Sequence, residues 1–201
     1  MMVRRLLPPS LIALCVLLAG CQSTPPKSAS GGKDGGASRI AIKHATDADA
    51  ASIDTTPKDI TVEDLIATKL PDDFKGGLED YGDRRVGPFE KSTFRISGTL
   101  KSVVHRKDGD YYLVMEGKTG ATAVIEVPDP ALAKGSPILP QIQAARNEIE
   151  SKYHPTDTPK DINEPATIEG VGFYGWKGHP GSGGHGSAPR LMPGTGFKSG
   201  K

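Results

Sequence analysis

Cysteine is nearly absent from this chain, with only Cys15 and Cys21 among 201 residues. Two are too few for a disulfide framework or a cysteine-built zinc site. Aromatic residues make up 5% of the chain and there is one tryptophan, so any stacking surface must be assembled from very few rings. Net charge is also missing: the formal value is +1, and it becomes −1 without Arg4 and Arg5. Such a balance excludes a general electrostatic pull toward nucleic acid or anionic lipid. No apolar run approaches the roughly 20 residues that a spanning helix needs, because Pro8 and Pro9 interrupt the first apolar stretch and Gly20 ends it.

What the N-terminus does contain is ordered. Arg4 and Arg5 form a positive start, Leu11 to Leu18 an apolar middle, and Ala19-Gly20 a small-residue end directly before Cys21. That arrangement predicts a signal peptide over residues 1–20. Leu18-Ala19-Gly20-Cys21 resembles the bacterial lipobox. The resemblance implies cleavage before Cys21 and lipidation of its thiol. Two or three acyl chains hold a protein to a bilayer where one holds only marginally, since each buried methylene contributes about 0.8 kcal/mol. Cys15 leaves with the leader, so the mature chain keeps one thiol, and lipid occupies it. Gln22 is not the aspartate that retains such proteins in the inner membrane of enteric bacteria. By that analogy the destination is the outer membrane, facing the periplasm.

Residues 21–56 are rich in Ser, Thr, Gly, Pro, Lys, Asp and Ala and lack an apolar period, so they predict a flexible, lipid-anchored linker. Residues 57–91 predict a short peripheral helix and a connection. Thr61 is suited to cap the helix, Asp64 follows three residues later, and Val62, Leu65, Ile66 and Leu70 share a face before Pro71.

The clearest periodicity starts at Phe94. Phe94, Ile96, Leu100 and Val104 alternate with polar residues and predict a long half-buried strand in which Gly98 marks a bend or bulge. Turn residues at 106–110 and 117–120 then separate strands over 111–116 and 121–127. Ile138, Ile142, Ala145, Ile149 and Tyr153 recur at helical spacing between Pro137 and His154. Strands at 166–174 and around 188–192 follow. Meander, helix and two strands are the order of the OB-fold. The expected fold class is therefore mainly β: a five-stranded OB-like barrel over residues 92–193, with one helix between strands 3 and 4, a disordered tether before it and a flexible tail at 194–201.

Asp108-Gly109-Asp110-Tyr111-Tyr112-Leu113-Val114, Val124-Ile125-Glu126-Val127-Pro128-Asp129-Pro130 and Gly170-Val171-Gly172-Phe173-Tyr174 resemble a group of uncharacterised bacterial secreted proteins. The likeness spans roughly residues 94–192. It implies an OB-like barrel and export, and carries no activity with it. Where the group has an aromatic-Asp pair and then His-Gly, this chain departs with Gly175-Trp176-Lys177-Gly178-His179.

Three sets of residues carry chemistry. Asp108 and Asp110 could ligate a hard cation in the manner of thermonuclease-type OB-folds, yet Asp-Gly-Asp is equally what a tight turn requires. His179 and His185, on a glycine-rich segment, are the weak transition-metal candidates and would need His105 or His154 to join them. Tyr111, Tyr112 and Trp176 are candidate stacking residues for bases or sugars, with Arg106, Lys107, Lys118 and Lys177 nearby in sequence. Adjacent strand residues face opposite ways, so at most one of Tyr111 and Tyr112 is available. The expectation is a lipid-anchored, non-enzymatic binding or scaffold domain with no catalytic residue, no resident metal and no cofactor. Its partners are the membrane, through the lipid, and an envelope protein, glycan or oligonucleotide. The alternatives are a metal-dependent hydrolase at Asp108 and Asp110, and an oligonucleotide or glycan binder.

Overall fold

A computed structural model describes residues 39–72, 82, 84–175 and 189–200. The expected signal peptide, Cys21, Trp176, His179 and His185 lie outside these residues. The described chain is mainly β, with six strands in one sheet and few helices. No helix among the described residues is long and apolar enough to cross a membrane.

The strands are β1 (Asp54–Asp59), β2 (Ser92–His105), β3 (Tyr111–Glu116), β4 (Thr122–Val127), β5 (Lys160–Tyr174) and β6 (Pro189–Ser199). The helices are α1 (Ile40–Lys43), α2 (Val62–Ala67) and α3 (Leu139–Tyr153). β2, β3 and β4 form the expected antiparallel meander, in register from Thr99 opposite Glu116 and from Tyr111 opposite Val127. β5 runs antiparallel to β2, from Thr93 opposite Val171 to Val103 opposite Lys160, and β6 runs antiparallel to β5. β6 then meets β4 in parallel through Ile125 and Leu191. The path β2-β3-β4-β6-β5 thus returns to β2 and the strands run in a closed ring. β2 reaches both neighbours because it is long: one edge serves β5 along most of its length, while the other serves β1 at its start and β3 at its end.

Alternation decides what faces the inside. Ile96, Leu100, Leu113, Met115, Ile125, Ile168 and Leu191 are fully or almost fully buried and form the core with Ile142, Ala145 and Ile149 of α3. α3 packs on β6 and β4, and the Tyr153 ring stands edge-on to Phe197 at 5.8 Å. Its end matches the sequence signal, with His154 in the left-handed region at φ 46° and Pro155 beyond it.

Several boundaries differ from expectation. Arg39 already belongs to the fold, well ahead of the boundary expected after residue 56: α1, the turn at 50–52 and β1 are all part of it, and β1 adds a sixth strand in parallel with β2. Local composition concealed this because β1, Asp-Thr-Thr-Pro-Lys-Asp, is mostly exposed and has no apolar alternation. β6 continues to Ser199 and buries Phe197, so residues 194–199 are sheet and not tail. α2 is capped as expected, Thr61 Oγ1 accepting the Asp64 amide at 3.0 Å, but it is not peripheral: Val62 and Leu65 are buried in the main core.

Gly98 serves another purpose than a bulge. The register shift falls between Leu100 and Ser102, which brings Val103 into the core and turns Val104 to an outer cluster. At Gly98 a Cβ would stand 2.4 Å from the Glu116 carbonyl oxygen, so glycine is required by a close backbone approach between β2 and β3.

Candidate functional site

The Asp108-Gly109-Asp110 turn joins β2 to β3 and is built as a turn. Gly109 takes φ 94°, its amide donates to the Arg106 carbonyl at 3.0 Å, and Asp108 Oδ1 accepts the Asp110 amide at 3.2 Å. The two aspartates then part company. The Asp108 side chain is half exposed, whereas Asp110 is fully buried, its Oδ1 accepting the Asp129 amide at 3.1 Å. From α3, Arg146 reaches back and donates to the carbonyls of Gly109 at 2.7 Å and Val127 at 3.2 Å.

The partner of Asp110 comes from the stretch expected to be linker. Lys43 Nζ lies 2.6 Å from Asp110 Oδ2, 2.9 Å from Glu126 Oε2 and 3.4 Å from Asp108 Oδ2. Glu126 projects from the outer face of β4 and also meets Arg190 of β6 at 3.5 Å. Lys43, Asp110, Glu126 and Arg190 are all buried. Burial works against the Lys43 ammonium, but the carboxylates of Glu126 and Asp110 outweigh it and leave its pKa above the ordinary lysine value. Burial would likewise raise Asp108, yet Lys43 and the Asp110 amide hold it below the usual aspartate value.

A cation therefore already occupies the carboxylates proposed for a metal. Among the described residues no group of three or more His, Cys, Asp or Glu is placed to hold a metal ion. His179 and His185 lie outside the described residues, and the two histidines expected to join them have other neighbours among the described ones. His105 stands edge-on to Tyr111 at 5.3 Å, and His154 is an exposed helix cap.

The tyrosine pair does face opposite ways, but neither ring is offered to a ligand. Tyr111 is 5% exposed and Tyr112 is 8% exposed. Tyr111 belongs to the core, its ring covered by the Arg146 guanidinium at 3.7 Å and its hydroxyl donated to Glu150; burial and that bond push its pKa up to about 12. Tyr112 lies in an outer cluster with Val104 and Val124, and Arg106 stands 5.4 Å from its ring. A base or sugar could stack on either only after displacing these groups.

His44, adjacent to Lys43, is buried with its Nε2 4.0 Å from Asp110 Oδ2. Burial lowers its pKa below the ordinary histidine value; Asp110 opposes this and Lys43 adds to it. In the folded state the imidazole is thus neutral at pH values where the unfolded chain already binds a proton. Stability at pH 8 should therefore be lost as pH falls below about 6.5, the unfolded histidine value, and the loss should level off once the folded group also protonates. Urea midpoints at pH 8 and pH 5.5 should differ more for the native chain than for His44→Asn. An equal pH response in the two would show that His44 contributes none of it.

The residues that matter here, Lys43, His44, Glu126 and Arg190, were not singled out by sequence. One signal existed: Glu126 interrupts an otherwise apolar strand, and Ala123 to Val127 are buried on both faces, so some segment must cover the outside of β4.

Compared with protein-family models, curated proteins and solved structures, the chain matches none.

Proposed function

We propose that this chain is a lipid-anchored protein of the bacterial cell envelope whose folded part is a non-enzymatic OB-like barrel acting as a binding or scaffold module. The observation that carries the non-enzymatic reading is the engagement of Asp110 and Glu126 by Lys43 and Arg190. A hydrolase of the thermonuclease type needs free carboxylates for its metal, a group to activate water and cations aimed at the developing charge. At this turn the cations neutralise the carboxylates themselves.

The OB-like reading is supported by strand order. The ring β2-β3-β4-β6-β5, with its parallel contact between β4 and β6 and a helix between β4 and β5, has the order of a Greek-key barrel of this kind. β1 and the segment from Arg39 are additions to it. The anchor reading rests on Leu18-Ala19-Gly20-Cys21. Arg39, already within the fold, can stand no more than roughly 60 Å of extended chain from a lipid on Cys21, which keeps the module close to the bilayer. The ligand is an envelope protein, a glycan or an oligonucleotide; burial of Tyr111 and Tyr112 leaves no stacking role for them in the closed structure.

The test has two arms. Cys21→Ser should abolish lipid labelling and shift the protein out of the membrane fraction or stall it as precursor; unchanged membrane retention would remove the anchor. The native protein should show no cleavage of single-stranded DNA or RNA with calcium, magnesium or zinc. Metal-dependent turnover lost in Asp108→Asn with Asp110→Asn would establish the hydrolase instead.

A further inference from the structure

We infer that residues Arg39 to Ala45 form a strap that holds the ring of strands shut across the seam between β4 and β6. That seam has the fewest registered residue pairs in the sheet. β3 and β4 are in register over their whole length, and β2 with β5 over most of theirs, whereas β4 and β6 are registered by the single pair Ile125 and Leu191. So short a pairing offers little backbone resistance to opening, and on the outer face Glu126 and Arg190 join the two strands through their side chains.

The strap crosses that place from one side to the other. Lys43 binds Asp110 at the start of β3 and Glu126 on β4. Glu126 in turn pairs with Arg190 on β6, across the seam. Ile42, fully buried, packs against Met192 of β6 and Phe173 of β5. Arg39 lies over the Phe173 ring at 5.0 Å and pairs with buried Glu90, which also accepts the Tyr174 amide at 2.8 Å. The downstream end is fastened by Arg85, which donates to the Ile42 carbonyl at 3.0 Å and pairs with Asp47 at 2.7 Å. A one-turn helix without a side-chain cap has little stability alone. Its order comes from the strands it crosses, and the seam is held by it in return.

Hydrogen–deuterium exchange on the full-length protein tests this. In Lys43→Met and, separately, Ile42→Ala, amides of residues 124–127 and 190–192 should exchange at least ten-fold faster than in the native protein. Amides of residues 102–104 on β2, which pairs with neither β4 nor β6, should stay within about two-fold. Should Lys43→Met fail to fold, Ile42→Ala, which strands no charge, carries the test alone. Gly194→Ala gives the reference pattern, because a Cβ there would stand 2.7 Å from Val127 Cγ2 and wedge the same seam directly. Seam-confined acceleration in a strap variant matching the Gly194→Ala pattern supports the strap. Equal acceleration in both regions, or none at the seam, overturns it.

Discussion

Glu90→Ala is expected to lower folding stability by about 3–5 kcal/mol, the cost of removing one partner from a buried ion pair. Glu90 is fully buried. Its carboxylate takes the Arg39 guanidinium together with the amides of Val86 and Tyr174, each at 2.8 Å. These three donors come from the segment before α1, the turn before β2 and the end of β5, so one side chain ties together regions far apart in sequence. Alanine leaves two buried amides and a buried cation without that acceptor, and each such loss is costly where water cannot replace it. Glu90→Gln keeps the shape and an acceptor oxygen but not the charge, and should fall between the native protein and alanine. Urea unfolding with an unchanged slope would read the difference directly. A shift of less than about 1 kcal/mol for alanine would mean that solvent reaches this site and that the network is not closed.

The second large effect separates two aspartates one residue apart. Asp110→Ala should cost about 3–5 kcal/mol, because Lys43 and Glu126 stay buried while the carboxylate between the lysine and the Asp129 amide is gone. Asp108→Ala should cost at most about 1 kcal/mol, since its side chain is half exposed and supplies only a turn bond and the longest of the three Lys43 contacts. A catalytic pair would show the reverse economy, with both substitutions silent in stability and both damaging to activity. Thermal and urea unfolding of the two single variants decides between these outcomes, and comparable stability losses at the two positions would contradict the buried-pair geometry.

Both effects run through partners that local patterns do not mark, Arg39 at Glu90 and Lys43 and Glu126 at Asp110. Strands β2 to β4, helix α3 and the cap of α2 were legible in the sequence because their signals are local. Apolar residues two apart define a strand face, residues three and four apart define a helix face, and Thr61 needs only Asp64 to reveal a cap. The Asp108-Gly109-Asp110 turn was legible for the same reason, and Gly109 has the positive φ that its composition suggested. Gly98 shows the limit of that kind of reading: the glycine was visible, but its cause, the Glu116 carbonyl, lies on another strand.

Tertiary structure alone decided what the charges do. Lys43 stands in a polar stretch that by itself cannot bury enough surface to fold, and it becomes ordered because Asp110 and Glu126 await it on strands formed much later in the chain. β1 forms for a similar reason, pairing with β2 through its backbone and so needing no apolar alternation of its own. The sequence by itself determined the strands of the meander, the long helix α3 and the aspartate-glycine turn that links β2 to β3. Which edge each strand found, which of two neighbouring aspartates was buried, and whether a tyrosine faced the core or the outer cluster were settled by contacts between residues distant along the chain, where no local period carries the information.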